Sequence, residues 1–430
     1  MKTTLSRRQI LAGAAAATVA PRFARNAVAQ ETIGKMRFGF IGVGGRGTYL
    51  LRLILQLPEV KVTAICDINE GNLKRAIKMV GEKDGTQLPG YSKGPFDYRR
   101  LLERNDVDAV VIATPVPLHA PMAVDAMRAG KHAFSEVAAA TTLDDCWALV
   151  ETTEKTGRLY MMAENCCYMR PQMMILHMVQ QGLFGDFTYA ECGYVHDCRN
   201  LKFNADGSLT WRGEMARDMI GNLYPTHSLG PVAHWLGINR GDRLVSLVAM
   251  TTRQAAFELY AAKRFGKDSP AAKIKFAVGD STTTLIRTAK GVVIDLRYDT
   301  ASARPHPTTC YYGLQGTTAS YDSDGDKIWI EGRSKEKTWE ALSKYAEEYD
   351  HPMWKKYESK AQKTAHGGGD FFPLREFLRA IRTGGPAPVD VYDAAAWSSI
   401  IPLSAESLRS KNKPIAIPDF TRGKWKSRIG

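Results

Sequence analysis

The sequence predicts an N-terminal parallel α/β domain followed by a C-terminal α+β domain with an open, mainly antiparallel sheet. The first part alternates short apolar, β-prone runs with amphipathic stretches, which is the pattern of strand–helix–strand units. Past residue 163 the strand-like runs follow one another with few helices between them. A chain of 430 residues with 44% hydrophobic residues is long enough to bury two such cores.

A glycine-rich turn follows the first predicted strand. Residues 36–41 are apolar and β-prone, and Gly42–Gly47 read G-V-G-G-R-G, which is G-x-G-x-x-G where a strand should turn into a helix. Glycine at these places permits a tight turn, backbone approach to a pyrophosphate and close helix–strand packing. Asp67 follows the second predicted strand, where an acidic residue can bond a ribose diol and would repel a 2'-phosphate. We therefore expect a Rossmann dinucleotide-binding domain over 35–163, with NAD as its cofactor.

The remaining elements of this domain complete a parallel sheet. Thr114–His119 and Ser135–Val137 follow two predicted strands, and ligands of parallel α/β sheets lie beyond the carboxyl ends of the strands. Both segments should therefore line the cofactor. The sequence predicts helices over 48–57, 70–80, 96–102 and 143–156, another ending near 130, and strands over 60–65, 107–113, 131–135 and 159–163.

The second domain is expected over 164–430. Consecutive strands with few helices between them favour an open, mainly antiparallel sheet. The predicted strands lie over 187–195, 243–250, 281–288, 292–298 and 327–332, and one helix, over 226–236, interrupts them. Two later helices are predicted over 370–383 and 391–408, and an edge strand over 415–418.

The N-terminus predicts export. Arg7 and Arg8 stand just before a weakly apolar, alanine-rich run over 11–20, and Ala27-Val28-Ala29 has the small-x-small form that a signal peptidase cuts. These features resemble a twin-arginine signal, so we expect residues 1–29 to be removed and the protein to be periplasmic or secreted. The apolar run is too short for a membrane anchor. A protein exported in the folded state must take up its dinucleotide beforehand, which favours a cofactor that stays bound.

Composition narrows the classes of partner and site. The formal charge is +13, but lysine and arginine are scattered, and the sequence has no zinc-finger spacing, basic block or aromatic RNA motif. We therefore expect no nucleic acid partner. The seven cysteines form no recognisable disulfide framework. Cys192 and Cys198 have a C-x5-C spacing, which is not a zinc spacing, and we expect no metal.

Strings of polar and aromatic residues through the mature chain carry a family resemblance. They are E-N-C-C-Y at 164–168, G-Y-V-H-D at 193–197, W-R at 211–212, G-N-L-Y-P-T-H at 221–227, I-N-R-G-D at 238–242, H-P-M-W-K at 351–355 and P-D-F-T-R-G at 418–423. In these strings the chain resembles the Gfo/Idh/MocA oxidoreductase superfamily and, within it, glycoside hydrolase family 109, whose characterised activity is an NAD-dependent α-N-acetylgalactosaminidase. The resemblance implies a glycoside or glycan terminus as substrate. It also implies a homodimer, because open sheets of this superfamily commonly pair with a second subunit.

The resemblance implies roles for individual residues. Together with the glycine fingerprint, the expected NAD contacts are Gly42, Gly44, Gly45, Arg46, Gly47, Asp67, Val116, Pro117, Leu118, His119, Glu136, Val137 and Asn165. The expected substrate contacts are Tyr194, Arg212, Tyr224, Pro225, Thr226 and His227. The family usually has Arg-Pro-Tyr where this chain has Arg304-Pro305-His306. His306 therefore joins the substrate candidates, and Tyr311 or Tyr312 is an alternative source of the missing phenol.

One substitution shapes the expected chemistry. Dehydrogenases of the superfamily have Glu-Lys-Pro where this chain has Glu136-Val137-Ala138, and valine cannot transfer the proton that the lysine transfers. The implied mechanism oxidises the sugar at C3 with NAD, eliminates the glycosidic group, adds water at C1 and returns the hydride, so it needs no carboxylate pair. Histidine and tyrosine can exchange protons when their pKa values are tuned. The candidates for acid and base duties are Tyr194, His196, Tyr224 and His227.

Two other functions stay open at this point. A periplasmic NAD-dependent sugar oxidoreductase would share the fold and the cofactor, but Val137 in place of the lysine argues against it. A non-catalytic NAD- or sugar-binding protein is favoured by the altered segment at His306 and opposed by the titratable residues expected in the cleft. The string H-G-G-G-D at 366–370 is also open, either as an active loop or as a flexible hinge before a helix.

Overall fold

The computed structural model of the protein describes residues 34–304 and 310–428. The signal peptide predicted over 1–29 and the substrate candidate His306 lie outside the described residues. Within the two described ranges, no helix combines the length and the apolar composition that a bilayer crossing requires.

A parallel sheet, of six strands within the described residues, forms the N-terminal part. Its strands are β1 (Met36–Ile41), β2 (Val60–Cys66), β3 (Gly90–Tyr91), β4 (Ala109–Ile112), β5 (His132–Ser135) and β6 (Tyr160–Met162), in the order β3-β2-β1-β4-β5-β6. All neighbouring pairs run parallel. The connecting helices are α1 (Gly45–Ile54), α2 (Glu70–Asp84), α3 (Tyr98–Leu102), α4 (His119–Arg128) and α5 (Leu143–Thr156). The predicted parallel α/β architecture is confirmed.

The turn after β1 is built as the glycine fingerprint predicts. Gly42 has φ +86°, a left-handed conformation that favours glycine, and a Cβ there would lie 2.8 Å from the carbonyl oxygen of Ala113. A Cβ on Gly47 would lie 2.0 Å from the carbonyl oxygen of Gly42. Only glycine therefore lets α1 run this close to the end of β1. The helix begins at Gly45, three residues earlier than the sequence predicted.

Two glycine substitutions test this turn. Gly47→Ala is expected to lower the free energy of unfolding by at least about 2 kcal/mol, because the added methyl meets a backbone carbonyl. Gly45→Ala is the matched control, since it adds the same methyl to the same helix with no heavy atom within 4 Å. We expect that change to stay within about 0.5 kcal/mol. Urea denaturation measures both, and equal free energies of unfolding would contradict the close packing of helix and strand.

The C-terminal part holds a larger, mixed sheet, with nine strands among the described residues. Its strands are β7 (Phe187–Val195), β8 (Leu244–Thr251), β9 (Ser281–Thr288), β10 (Val293–Asp299), β11 (Cys310–Gly316), β12 (Ala319–Asp322), β13 (Lys327–Ile330), β14 (Glu340–Ala341) and β15 (Ile415–Ala416), in the order β14-β13-β12-β11-β7-β10-β9-β8-β15. Strand β7 runs parallel to β10, and the other neighbours pair antiparallel. The predicted open, mainly antiparallel sheet is confirmed, with β15 as its edge strand.

The C-terminal part has more helices than the sequence predicted. They are α6 (Arg170–Gln180), α7 (Trp211–Asp218), α8 (Thr226–Trp235), α9 (Ala256–Phe265), α10 (Ala346–Tyr349), α11 (Pro352–Ala361), α12 (Pro373–Thr383), α13 (Val391–Ser398) and α14 (Ile400–Arg409). The expectation of one helix between the strands is wrong, because α7 and α9 also lie there. Helix α7 is polar, and its start is fixed by Thr210, whose side chain accepts a hydrogen bond from the amide of Gly213. The single helix predicted over 391–408 is two helices that meet at Ser399.

Late helices of the chain pack on the N-terminal sheet. Phe377 of α12 lies beside Phe38 of β1 and Phe134 of β5, with ring centroids 6.2 and 5.3 Å apart. Helix α13 packs against α5 and β6, and the amide of Met162 donates to the carbonyl of Val389 at 3.2 Å. The C-terminal chain thus contributes to the core around the N-terminal sheet, and the segment before α12 lies near the glycine turn.

Candidate active site

A cavity of about 880 Å³ lies at the carboxyl ends of β1, β2, β4 and β5. We call it the NAD cavity. Two predicted substrate residues, Arg212 and Tyr224, also line it, so it extends from the cofactor side to the substrate side. Of the predicted NAD contacts, its lining includes Gly42, Gly44, Gly45, Arg46, Asp67, Val116, Leu118, His119, Glu136 and Val137.

The backbone of the glycine turn fits a pyrophosphate. A Cβ added to Gly45 would meet no heavy atom within 4 Å, and one added to Gly44 would meet only Asn72 Nδ2, at 3.9 Å. Open space therefore lies in front of the turn, whereas the flanking glycines are packed against backbone. The turn leads directly into α1, whose N-terminal amides favour an anion. A diphosphate can approach the chain closely at this point.

The carboxylate of Asp67 is fixed at the cavity wall. Its two oxygens accept hydrogen bonds from the amide of Val43, at 2.7 Å, and from the amide of Asn69, at 2.8 Å. These bonds join the end of β2 to the glycine turn and hold the carboxylate at the edge of the space that a dinucleotide would fill. Asp67 can therefore accept hydrogen bonds from a ribose diol there.

His119 ties together two loops of the cavity. It is buried, and its Nδ1 and Nε2 lie 2.8 Å from the carbonyl oxygen of Ala138 and 2.7 Å from that of Thr114. Burial lowers the pKa of this imidazole, although the backbone carbonyls act in the opposite direction. The ring therefore holds the segment after β4 against the segment after β5, and its edge lines the NAD cavity.

A buried carboxylate, Asp370, joins the glycine turn to the C-terminal part. Arg46 donates from Nε to Glu136 Oε1 and from Nη2 to Asp370 Oδ1, both at 2.7 Å. Asp370 also accepts from Asn165 Nδ2 at 2.9 Å, and its second oxygen lies 2.6 Å from His366 Nδ1. Burial alone would raise the pKa of Asp370, but the hydrogen bonds from His366 and Arg46 lower it to about 2. Through Asp370, the segment 366–370 therefore holds Arg46 and Asn165 in place beside the cavity. The sequence did not assign this anchoring role to Asp370.

Removing the charge of Asp370 tests this network. Asp370→Asn keeps the shape of the side chain and is expected to lower the free energy of unfolding by about 2 kcal/mol, because Arg46 and His366 lose the carboxylate they face. We also expect less NAD to be retained after dialysis. Asp324→Asn, at an exposed position, is the control and should change the free energy of unfolding by less than about 0.5 kcal/mol. Full stability and full NAD content in Asp370→Asn would contradict the anchoring role.

His227 and Glu164 form a buried pair. His227 lies in the first turn of α8, and its Nδ1 is 2.7 Å from Glu164 Oε1, just beyond the end of β6. Burial opposes charge on this imidazole, but the negative charge of Glu164 and its hydrogen bond raise the pKa of His227 to about 9. The pKa of Glu164 is lowered by the same pairing, although burial alone would raise it. At neutral pH the pair is therefore an imidazolium and a carboxylate.

The predicted acid–base candidates form one aromatic cluster. The ring centroid of Tyr194 lies 5.2 Å from that of Tyr224, 5.8 Å from that of His227 and 5.7 Å from that of His196. Tyr224 and His227 are 5.1 Å apart, and Tyr224 also lines the NAD cavity. Burial raises the pKa of Tyr194 and of Tyr224, so both phenols keep their protons at neutral pH. Val137 lines the same cavity and cannot exchange protons.

The residues around His227 support its position. Pro225 occupies the N-cap position of α8 and the buried Thr226 begins the helix, directly before His227, and their predicted substrate contacts stay a prediction. The hydroxyl of Tyr312 donates to the backbone carbonyl of His227 at 2.8 Å. Tyr311 points to the other face of β11, where its ring packs against Gly193. Tyr312 thus supports α8, and the replacement of the missing phenol by Tyr311 or Tyr312 stays a prediction.

Three possible metal donors meet at the His227–Glu164 pair. One donor atom each from Glu164, Cys166 and His227 lies within 4.8 Å of the others. The hydrogen bond between the histidine and the glutamate already joins two of these side chains. The expectation of a protein without a metal stays a prediction.

Family models match both parts of the chain. A model described as an oxidoreductase family with an NAD-binding Rossmann fold matches residues 36–164. A model described as the C-terminal domain of glycosyl hydrolase 109 matches residues 168–427. The NAD-binding domain expected from the glycine turn and Asp67 is thereby confirmed.

Curated relatives resemble the chain over nearly its whole length. A glycosyl hydrolase family 109 protein of Parabacteroides distasonis is 37% identical over 432 residues, which cover 96% of this chain and 92% of the relative. An alpha-N-acetylgalactosaminidase of Tannerella forsythia is 38% identical over 416 residues, which cover 92% and 88%. A family 109 protein of Stenotrophomonas maltophilia is 38% identical over 444 residues, which cover 99% and 97%.

Solved structures with this fold are more distant in sequence. An oxidoreductase domain protein from Kribbella flavida is 18% identical with a TM-score of 0.69, covering 90% of this chain and 100% of that chain. A levoglucosan dehydrogenase in complex with NADH is 19% identical, with the same TM-score and the same coverage. At these identities the likeness shows the fold alone, and that fold agrees with the two parts described above.

The relatives and the residues of the site together show to which family the chain belongs. The family 109 model spans the part of the chain that carries Arg212, Tyr224 and His227, and the Rossmann model spans the glycine turn and Asp67. Relatives named for family 109 align with both parts at once. The chain therefore belongs to glycosyl hydrolase family 109 and is an NAD-dependent glycoside hydrolase.

Proposed function

We propose that the protein hydrolyses terminal α-N-acetylgalactosaminides with an NAD that stays bound and is regenerated in every turnover. The observation that carries the proposal is the buried His227–Glu164 pair packed against Tyr224, a residue of the NAD cavity wall. The relative from Tannerella forsythia that is named for this activity supports the choice of sugar.

The chemistry divides between the cofactor and the chain. The glycine turn and Asp67 would hold NAD, which would supply the reversible oxidation at C3 of the sugar that makes the C2 proton acidic. The side chains of this protein must then remove the C2 proton, let the glycosidic group leave and return protons at the end. They must also orient one face of the sugar toward the cavity.

His227 takes and returns protons in this proposal. With a pKa of about 9, its neutral form is a stronger base than an ordinary imidazole, and Glu164 stabilises the imidazolium that forms. Tyr194 and Tyr224 keep their protons because burial raises the pKa of each phenol. They therefore donate hydrogen bonds to sugar oxygens. On this basis we propose His227, rather than Tyr224, as the base.

Arg212 positions the sugar. Its guanidinium lies over the ring of Trp211, 4.1 Å from the ring centroid, and it lines the NAD cavity beside Tyr224. Within the described residues no carboxylate forms an ion pair with it. Its donors can therefore make charge-assisted hydrogen bonds to a polar substituent, such as the acetamido oxygen.

A sugar oxidoreductase that releases an oxidised product is the second candidate. A solved structure with this fold is a levoglucosan dehydrogenase bound to NADH, which favours it. Val137 stands where such enzymes carry the proton-transferring lysine, and this favours the hydrolase.

Cleavage in deuterated water distinguishes the two functions. The purified mature protein is incubated with α- and β-nitrophenyl glycosides, the N-acetylgalactosaminides among them, and the released sugar is examined by NMR. We expect nitrophenol release without a net change in NADH absorbance, and deuterium at C2 of the released sugar. Cleavage without deuterium at C2 would contradict elimination. NADH that accumulates with free sugars, with no glycoside cleaved, would favour the oxidoreductase.

The proposal includes export. The arginine pair at 7–8 and the small-x-small motif at 27–29 support a twin-arginine route to the periplasm or beyond, with removal of residues 1–29. Cell fractionation and mass spectrometry of the mature N-terminus test this. An intact N-terminus found only in the cytoplasm would contradict it.

The proposal also includes a homodimer. Met250, Leu285 and Val293 lie on one face of the larger sheet and are exposed, an arrangement that favours contact with a second copy. Light scattering of the purified protein measures its molar mass in solution, and a monomer at micromolar concentration would contradict the pairing.

A further inference from the structure

A second, smaller cavity opens beside the NAD cavity. Its volume is about 70 Å³, several times the space that one water needs. Trp211, Arg212 and Tyr224 line both cavities, so a sugar that packs on Tyr224 can place a ring substituent in the smaller one. We call it the inner pocket. Its lining includes Tyr194, Cys198, Lys202, Arg212, Tyr298 and Thr300.

Lys202 is a buried cation in the wall of the inner pocket. Only 4% of this residue is exposed, and its Nζ lies over the ring of Phe257, 5.4 Å from the centroid. Within 34–304 and 310–428 its ammonium has no carboxylate at ion-pair distance and no hydrogen-bond acceptor. The titratable groups that act on it are Cys198 and Arg212, and Arg212 is a second cation.

A buried charge without a partner needs a reason, because its desolvation is costly. Burial lowers the pKa of Lys202 to about 8, Cys198 partly offsets this and Arg212 adds to it, so the side chain is still largely charged at neutral pH. Arg240 shows how this chain stabilises a buried cation elsewhere, by placing Asp393 at 2.6 Å. Among the described residues Lys202 instead borders a cavity, where an anion from outside the protein can serve as its partner.

We propose that the inner pocket recognises an anionic group on the sugar, a carboxylate or a sulfate ester, which pairs with Lys202 and Arg212. The inference rests on the proposed glycosidase function and adds to it a preference for acidic derivatives of the N-acetylgalactosaminide. A neutral acetamido or hydroxymethyl group would use the donors of Arg212 and leave the charge of Lys202 uncompensated. An anion with several oxygens accepts from both side chains and balances the charge.

Binding of free sugars to the NAD-loaded, full-length mature protein tests the pocket directly. Isothermal titration compares N-acetylgalactosamine with its 6-sulfate, and galactose with galacturonic acid. We expect an acidic sugar to bind at least about tenfold more tightly than its neutral counterpart. A preference for the sulfate alone or for the carboxylate alone supports the inference and identifies the anion.

A matched pair of variants assigns the preference to Lys202. Lys202→Met removes the charge and keeps a side chain of similar length, and it should abolish the preference for acidic sugars without weakening the neutral ones. Lys263→Met, on the exposed side of α9, makes the same charge change outside the pocket and should leave the preference intact. Thermal unfolding of both variants verifies that they fold.

Two results would overturn the inference. The first is equal binding of neutral and acidic sugars by the wild type, which needs no variant. The second is an equal loss of both sugar classes in Lys202→Met, which would make Lys202 a structural residue. Failure of the glycosidase function has a different signature: acidic sugars would still bind preferentially, while no glycoside of any charge would be cleaved.

Discussion

Replacing His227 by asparagine is expected to lower kcat for glycoside cleavage by at least about 1,000-fold while NAD stays bound. The asparagine amide can still donate to Glu164, which accepts from Nδ1 of the histidine, so the buried carboxylate keeps a partner. The variant has no group that can take a proton from C2, and the elimination step should stop. Steady-state cleavage of a nitrophenyl glycoside measures the loss, and the absorbance of NAD released on denaturation measures cofactor content.

His234→Asn is the matched control for this substitution. His234 lies two turns further along the same helix, and burial lowers its pKa to about 4, so it is neutral and has no part in the proposed proton transfer. We expect its kcat to stay within about threefold of the wild type. His227→Ala should also keep NAD and lose turnover, at a larger cost in stability because Glu164 is left buried and unpaired. Cleavage by His227→Asn at nearly the wild-type rate would remove His227 from the mechanism.

The cofactor side of the site could be predicted because its signals are local. The glycine turn and Asp67 are read from spacing along one strand–helix–strand unit, and the structure places all of them at the predicted edge of the sheet. The residues on the substrate side were predicted from the short sequence segments that carry the family resemblance. Tyr194, Tyr224 and His227 cluster as the resemblance implies.

The pairings that tune the site could not be predicted. Glu164 and His227 are 63 residues apart, and Arg46 and Asp370 are 324 apart, so only the tertiary fold brings each pair together. The burial of Lys202 could not be predicted either, because a lysine within the mostly polar segment R-N-L-K-F-N is expected at the surface. The chain folds back after it, with Thr210 donating to its carbonyl at 3.0 Å, and this turn buries the side chain.

Helices α7 and α9 were not predicted because their sequences lack the usual signal of an amphipathic helix. In α9 the buried residues are Phe257 and Ala261, while Leu259 on another face is 70% exposed. Its apolar residues therefore do not form a single stripe, which is the pattern that predicts an amphipathic helix. Helix α7 is mainly polar, with only Met215 and Ala216 as buried apolar side chains, so its clearest signal in the sequence is the Thr210 cap.

Glu164→Gln is expected to reverse the charge state of His227 at neutral pH. In the wild type burial lowers the pKa of His227, and the charge and hydrogen bond of Glu164 overcome it and raise the pKa to about 9. With a neutral partner burial dominates, and the pKa should fall below the ordinary value of 6.5. Because the neutral imidazole is the base, log kcat/KM of the wild type should rise with pH and level off above about 9. The variant should level off below pH 6.5, at a plateau about 100-fold lower because its imidazole is a weaker base.

The same substitution should change how stability depends on pH. A raised pKa in the folded state stabilises the protein fully below pH 6.5, where the unfolded chain also binds the proton, and this contribution is lost as pH rises to about 9. The free energy of unfolding of the wild type should therefore fall across this window, and that of Glu164→Gln should fall less. Glu103→Gln, at an exposed position, should behave as the wild type in both measurements. Parallel pH profiles of wild type and Glu164→Gln, in rate and in stability, would show that the pair does not govern the proton on His227.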